Sequence, residues 1–240
     1  APGVLLWAVG VAAPLGLLYV AAVGAGSPVE SVSLKVIVRT YALAAGVAAV
    51  SVLAGYIPGR LLGTTRRGEW LLLGVLLAPL LLPRIVLYYA WFLPLSPTTC
   101  LGAWLARTHL ASVAYGTAAT LVMLQWYWPL AALLIAQGWR NMDPDTLDTA
   151  RLEAGALQRF WRVSLPLLAR PLVLAFLICF ALSLSEYGTF YLAGMRTVGT
   201  DLGVVYDQTH STEAVALAAW PLIPAAALAA IALWRQARQW

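Results

Sequence analysis

Six long apolar stretches divide this 240-residue chain. Each is about 20 residues long, the length that a helix needs to cross the apolar core of a bilayer. A helix satisfies its own backbone hydrogen bonds in lipid, so stretches of this kind fold as transmembrane helices. We therefore predict an all-α polytopic membrane protein with a single transmembrane permease domain over residues 1–240. The six predicted spans are residues 4–26, 36–59, 70–93, 115–138, 172–194 and 214–234.

The composition excludes a water-soluble protein with one core. Hydrophobic residues make up 62% of the chain and charged residues only 10%. Soluble domains average about 45–50% apolar and about 25% charged residues. An excess of this size has to face lipid, so membrane lipid is an expected partner.

Arginine residues cluster in alternate connections, and this pattern sets the predicted orientation. Lys and Arg are concentrated in the short cytoplasmic loops of membrane proteins. Ten of the fifteen basic residues follow spans two, four and six, which places these connections and both termini in the cytoplasm. The net charge of +5 thus reflects topology, and no nucleic-acid partner is expected. The ten residues are Arg60, Arg66, Arg67, Arg140, Arg151, Arg159, Arg162, Arg170, Arg235 and Arg238.

The cytoplasmic connection 139–171 is long and polar, and its residues predict a pair of short helices. Asp143 is a good N-cap, and Pro144 suits the first helical position. Gly155 is placed to end this first helix in a left-handed conformation. A second amphipathic helix follows and leads into span five, with apolar positions at helical spacing. From the residues alone, an ordinary interfacial loop explains this segment equally well.

The same connection resembles the signature loop of permease subunits of binding-protein-dependent ABC importers. That signature reads Glu-Ala-Ala, three residues, Gly, nine residues, Ile-x-Leu-Pro. Here DTARLEAG, residues 148–155, resembles its first half, and FWRVSLPLLARP, residues 160–171, resembles its second half. Downstream, ALSLSEYGTFYLAG, residues 181–194, resembles span five of permeases for iron(III), thiamine, polyamines and sulfate.

The first half of the signature departs from the family pattern, and two registers stay open. Counting back from Pro166 places Glu153 at the position of the family glycine. Aligning Asp148 with the leading acid instead places Ala154 there and shortens the second half by one residue. Gly155 is available for the turn in both registers.

The resemblance implies a transport subunit with no enzymatic activity of its own, in a bacterial inner (plasma) membrane. In the family the loop docks in a groove on an ATP-binding cassette ATPase dimer, which binds ATP and Mg, so no cofactor is expected in this chain. The other implied partners are a second permease subunit, identical or homologous, and an extracytoplasmic solute-binding protein. The residues that would couple to the ATPase are Leu147, Asp148, Thr149, Ala150, Arg151, Leu152, Glu153, Ala154 and Gly155.

Two ionisable residues, Arg84 and Glu186, lie deep in apolar stretches. Such residues are costly in lipid and usually face a bundle interior or a cavity. Each lies about 14 residues from the cytoplasmic start of its span, or roughly 20 Å along a helix, so their depths permit an ion pair. We predict that they form a pathway or gate together with Tyr187. A purely structural pair is the alternative, as is a separate approach of each charge to the interface.

Other motifs carry weaker expectations. The sequence QWYWPL, residues 125–130, predicts packing against lipid in preference to contact with a substrate. His109 and His210 read as surface residues, so no metal site is expected. Cys100 and Cys179 are predicted to lie at different depths, which argues against a disulfide bond. The chain has no phosphate-binding Gly-x4-Gly-Lys-Ser/Thr motif and no nucleophile or metalloprotease motif.

Two other functions remain open from the sequence. An ion-coupled secondary transporter would use the intramembrane charges without an ATPase. An intramembrane enzyme is disfavoured by the missing catalytic motifs. The sequence does not separate cationic from anionic substrates, because Glu186 in a pathway favours a cation whereas Arg84 favours an anion.

Overall fold

Three long apolar helices form the frame of the computed structural model. They comprise Leu34–Thr64, Ala111–Arg140 and Leu157–Leu184, and each is long and apolar enough to cross a membrane. A bent pair of shorter helices adds a fourth crossing if its two parts are counted as one. This frame fits a membrane-embedded helical protein, as the sequence predicts. The structure describes residues 32–65, 68–143 and 155–224, together with residues 20, 227, 228, 231 and 235.

Every regular element within these described ranges is helical. A 3-10 turn, Leu93–Leu95, follows the helix that ends at Phe92. A π-helical turn, Phe160–Ser164, joins the helix that ends at Arg159 to the one that begins at Leu165. A second 3-10 turn, Trp220–Leu222, follows the tenth helix. The helices are α1 (Leu34–Thr64), α2 (Glu69–Leu81), α3 (Arg84–Phe92), α4 (Cys100–Arg107), α5 (Ala111–Arg140), α6 (Ala156–Arg159), α7 (Leu165–Leu184), α8 (Gly188–Leu192), α9 (Val198–Thr209) and α10 (Thr212–Ala218).

The second and fourth predicted spans are confirmed as single helices. Helix α1 covers residues 36–59, and α5 covers residues 115–138. Apart from Val20, the first predicted span lies outside the described residues. The sixth begins in α10, and much of its later part lies outside them too. A total of six spans therefore stays a prediction.

Residues 70–93 do not form one straight helix. Helices α2 and α3 meet at an angle of 81°. Pro83 causes the break, since proline has no N–H to donate and forces the residue before it towards extended backbone. Leu82 accordingly has φ −84° and ψ 129°. The helix is thus interrupted at Pro83, whereas Pro79 is accommodated inside α2.

The helix that holds the predicted fifth span, residues 172–194, begins before that span and ends within it. The helix begins before Leu172, because α6, the π turn and α7 run on without a break as the 28-residue helix Leu157–Leu184. The π turn directly precedes the first turn of α7, which holds Pro166, and proline disturbs the α-helical hydrogen-bond pattern at such a place. At the other end the chain leaves the helix after Leu184 and resumes it only at Gly188.

Glycines on one face of α1 let it pack directly on the backbone of α5. A Cβ atom added to Gly55 would lie 2.8 Å from the Ala132 nitrogen, and one added to Gly59 would lie 2.7 Å from the Ala132 oxygen. One added to Gly63 would lie 2.8 Å from the Ala136 oxygen. Small residues allow this close approach of helices in membrane proteins. Because the contacts advance together along both chains, α1 and α5 run parallel.

Helix α7 packs beside α5 in the opposite direction. Near the end of α5, a Cβ atom added to Gly138 would lie 2.9 Å from Pro171 Cβ. Farther back along α5, the Tyr127 carbonyl lies 3.8 Å from Cys179 Sγ, which donates to it. Residue numbers fall on one helix as they rise on the other, so the two are antiparallel. These directions are the ones expected when spans two and four cross one way and span five crosses the other.

Polar contacts close the two ends of the bundle. At the predicted outer end, Thr40 Oγ1 accepts a hydrogen bond from Val198 N (3.0 Å), and the Tyr41 hydroxyl donates to the Pro221 carbonyl. At the predicted cytoplasmic end, Arg140 Nη2 donates to Glu69 Oε1 at 2.6 Å. These contacts connect α1 with α9 and α5 with α2.

The tight α1–α5 contact predicts an unusual sensitivity at Gly59. Replacing Gly59 by Ala should destabilise the protein by about 1–3 kcal/mol, because the added methyl meets backbone that cannot move aside. Thermal unfolding in detergent, followed by size-exclusion chromatography, measures this loss.

Gly46 offers a matched control on the same helix. A Cβ atom there meets nothing within 4 Å. Gly46→Ala should be neutral or slightly stabilising, since alanine favours helix. Equal effects of the two substitutions would contradict the packing described for α1 and α5.

Candidate functional site

Most of the predicted coupling residues, Leu147 to Ala154, lie outside the described residues. Gly155 is described, and the left-handed conformation predicted for it is not found. Among the described glycines that conformation occurs at Gly68 and Gly194. The Gly155 carbonyl accepts a hydrogen bond from Arg159 N at 2.9 Å, so Gly155 immediately precedes helix α6.

The two intramembrane charges predicted from the sequence meet in the structure. Arg84 Nη1 donates to Glu186 Oε2. Both residues lie at helix breaks: Arg84 is the first residue of α3, after Pro83, and Glu186 lies between α7 and α8. Each of the two side chains therefore lies beside a stretch of non-helical backbone. Irregular backbone at membrane depth is tolerated where it is buried in protein or lines a cavity.

Glu186 is held by α8 as well as by Arg84. Its Oε1 accepts hydrogen bonds from the Thr189 backbone N–H (3.0 Å) and from the Thr189 hydroxyl (2.7 Å). The carboxylate thus lies at the N-terminal end of α8, where the helix dipole favours negative charge. Glu186 is only 8% exposed. Three hydrogen bonds compensate for removing this carboxylate from water.

Arg84 contacts two aromatic residues of α5. Its Nη1 donates to the Tyr127 hydroxyl at 3.2 Å. Its Cζ lies 4.7 Å from the centre of the Trp126 ring, in cation–π geometry. The guanidinium is therefore fixed by an anion, a hydroxyl and an aromatic face, each from a different direction.

The aromatic residues of this site were misread from the sequence. We predicted that QWYWPL packs against lipid, but Tyr127 is fully buried and Trp126 packs on the Arg84 guanidinium. A signal was available, since Tyr127 lies 13 residues before Arg140, about 20 Å along α5. Arg84 and Glu186 are predicted to lie at the same distance from the cytoplasmic starts of their spans. Thr189 was also missed, although it lies three residues after Glu186 within the same motif.

Tyr187 lies next to the ion pair in the chain but faces elsewhere. Its ring stacks on Tyr191, with centroids 5.3 Å apart. The ring also lies against Gly203 of α9, where an added Cβ atom would be 2.7 Å from Tyr187 Cε2. Within the described ranges its hydroxyl forms no hydrogen bond, and its role in a pathway stays a prediction.

The remaining candidates from the sequence do not join this site. Cys100 is an exposed thiol and Cys179 a buried one, and neither is in a disulfide bond. His109 and His210 are exposed and have positive φ angles of 56° and 50°. Within the described ranges, no three His, Cys, Asp or Glu residues are grouped as a metal site would require.

Comparison with models of known protein families gave no match, and comparison with curated proteins found no significantly similar sequence.

The buried pair predicts a strong asymmetry between single and double substitutions. Arg84→Met leaves the Glu186 carboxylate buried without its counter-ion and should cost about 3 kcal/mol of stability. Adding Glu186→Met should restore most of that loss, because no charge then remains buried. Thermal unfolding of the purified variants in detergent measures both effects.

The Glu69–Arg140 pair is a matched control, since Glu69→Met leaves an arginine whose side chain is 41% exposed, whereas Arg84→Met leaves a glutamate that is 9% exposed. Glu69→Met should cost no more than about 1 kcal/mol, as is usual for exposed pairs. The stability loss of the double variant should be smaller than the sum of the losses of the two single variants. A loss equal to that sum would argue against a direct Arg84–Glu186 pair.

Proposed function

We propose that this chain is the transmembrane permease subunit of an ABC importer in a bacterial inner membrane. It forms half of a substrate pathway and takes up a small solute or ion delivered by a binding protein. The observation that carries the proposal is the unbroken helix Leu157–Leu184. It begins within the connection that resembles the coupling signature, just after the first half of that signature at residues 148–155, and Glu186 follows its other end.

This helix gives the loop a mechanical connection to the ion pair. Its 28 residues span about 42 Å at the usual helical rise. A tilt of about 5° at one end moves the other end by almost 4 Å, which exceeds the range over which a hydrogen bond persists. Movement of an ATPase against the loop would therefore separate Glu186 from Arg84 or bring them together.

The π turn Phe160–Ser164 lies where the loop joins the span. The Phe160 ring packs edge-on against Tyr56 of α1, with centroids 5.7 Å apart. Ser164, at the end of the same turn, is buried. Turns of this type interrupt α-helices at functional positions. In the proposed mechanism this turn is the joint through which the loop pulls on α7 while α1 holds its place.

The partners follow from the same proposal. An ATPase dimer binds the cytoplasmic loop and supplies ATP and Mg, while a solute-binding protein delivers substrate on the other side. A second permease subunit completes the pathway. Large apolar side chains are exposed on α1 and α2, where lipid or that subunit covers them: Leu53, Ile57, Trp70, Leu71 and Val75.

The alternative is an ion-coupled transporter that needs no ATPase. The buried contact of Arg84, Glu186 and Tyr127 favours it, since ionisable chains inside a membrane often serve ion or proton pathways. The two functions differ in their need for the loop, because only an importer has to dock an ATPase there.

Affinity purification from gently solubilised native membranes, with mass spectrometry of the recovered partners, tests the proposal. The unmodified chain should recover an ATP-binding cassette ATPase. Leu152→Asp combined with Gly155→Pro should reduce that recovery at least tenfold, because an acid and a rigid backbone are placed in the docking loop. Gln208→Asp, on α9 at the predicted outer side, is the control and should leave the recovery unchanged.

A chain that purifies without any ATPase, yet still moves solute in liposomes, would overturn this proposal in favour of the ion-coupled transporter. Equal recovery of the ATPase by the loop variant and the control would show that docking occurs elsewhere.

A further inference from the structure

The two charges of the buried pair differ in their capacity to bind anything else. Glu186 already accepts hydrogen bonds at both oxygens, from Arg84 and twice from Thr189. With a side chain 9% exposed, it has almost no surface on which a cation could bind. A cationic solute would have to break contacts with three separate donor groups to reach this carboxylate.

Arg84 is in the opposite situation. A guanidinium carries five N–H donors in a planar fork. Both hydrogen bonds of Arg84 within the described part of the chain start from Nη1. Its Nη2 and Nε donors form the second edge of the fork, and the side chain is 33% exposed. This edge matches the spacing of two oxygens in a carboxylate, sulfate or phosphate group.

The contacts of Arg84 also preorganise that second edge. The Trp126 ring covers the guanidinium at 4.7 Å, and Tyr127 and Glu186 hold Nη1. The Trp126 Nε1 donor is itself buried and has no hydrogen-bond partner among the described residues. A buried donor without a partner calls for an explanation, and an oxyanion bound beside the guanidinium would supply one.

We infer that Arg84 is the point in the pathway that binds an anionic solute through carboxylate, sulfate or phosphate oxygens. Glu186 is the counter-ion that keeps this binding weak. The inference rests on the proposed transport function and names the substrate class of the same site. The solute binds the Nη2–Nε edge while Nη1 stays on Glu186, so the charged pair need not open for binding to occur.

The carboxylate has a specific part in this arrangement. A second negative charge close to the bound oxyanion repels it, and a like charge in a poorly solvated site opposes binding strongly. A transport site has to release its solute, so tight binding by an isolated buried arginine would slow each cycle. Glu186 therefore sets an affinity low enough for release, and movement of α7 changes its distance from the bound anion.

Direct binding to the detergent-purified transporter tests the inference. The probes are radiolabelled sulfate, phosphate and citrate, with spermidine as the cationic probe, measured by scintillation proximity. The unmodified protein should bind at least one of the three oxyanions and should not bind spermidine. Glu186→Gln should tighten oxyanion binding about tenfold or more, because it removes the repelling charge and keeps an acceptor for Thr189.

Substitutions of the arginine should act in the opposite direction. Arg84→Gln should abolish oxyanion binding. Arg84→Lys should weaken it at least tenfold, since an ammonium keeps the charge but loses the planar fork. Arg107→Gln, on α4 outside this site, is the matched control and should bind as the unmodified protein does. If Arg84→Gln fails to fold, Arg84→Lys carries the test, because it retains a cation beside Glu186.

Three outcomes would overturn the inference. One is binding of spermidine that Glu186→Gln abolishes, which would assign the site to cations. Another is a dissociation constant for oxyanions that changes less than twofold in Glu186→Gln, which would make the pair purely structural. The third is a folded transporter that binds none of the three oxyanions.

These outcomes are separable from a failure of the proposed function. Oxyanion binding with the expected response to substitution, in a chain that recovers no ATPase, supports the anion site and overturns the importer. Recovery of an ATPase by a chain that binds no oxyanion supports the importer and overturns the anion site.

Discussion

A partly buried ion pair between Arg84 and Glu186 is the constraint on which the rest of the structure depends. Charges at this depth are costly in lipid, so each needs partners and a position inside the bundle. The chain meets this need by breaking two helices, at Pro83 and after Leu184, so that each charge lies at a helix terminus. Trp126 and Tyr127 of the unbroken α5 complete the environment.

The glycine contact between α1 and α5 provides the rigid half of the bundle against which the broken helices are arranged. Small residues at Gly55, Gly59 and Gly63 bring the two backbones into contact, and α7 packs beside them in the opposite direction. A closely packed pair with few alternative arrangements is a suitable reference for movement elsewhere. In the proposed mechanism the parts that move are the helix Leu157–Leu184 and the bend between α2 and α3, next to which Glu186 and Arg84 lie.

The sequence predicted the helices better than it predicted their ends. Residues 36–59 and 115–138 are apolar throughout and form the expected helices, and Pro83 interrupts its stretch as proline chemistry requires. The helix of the fifth span starts before residue 172 and stops at Leu184, because hydropathy alone does not mark where a helix begins or ends. At Gly155 the sequence predicts a turn before a second helix, and its carbonyl accepts a hydrogen bond from the first turn of α6 without a left-handed conformation.

By itself the sequence determined the class of the protein, the polar loop between two apolar stretches, and the presence of one arginine and one glutamate at matching depth. These properties depend on composition and on position along a helix, which are local quantities. Only the tertiary structure decided that the two charges meet, that Trp126 and Tyr127 face them, and that Arg84 keeps one donor edge while Glu186 is covered. The reason is geometric: the direction in which each residue faces depends on how neighbouring helices rotate and pack, and hydropathy is nearly the same on every face of such helices.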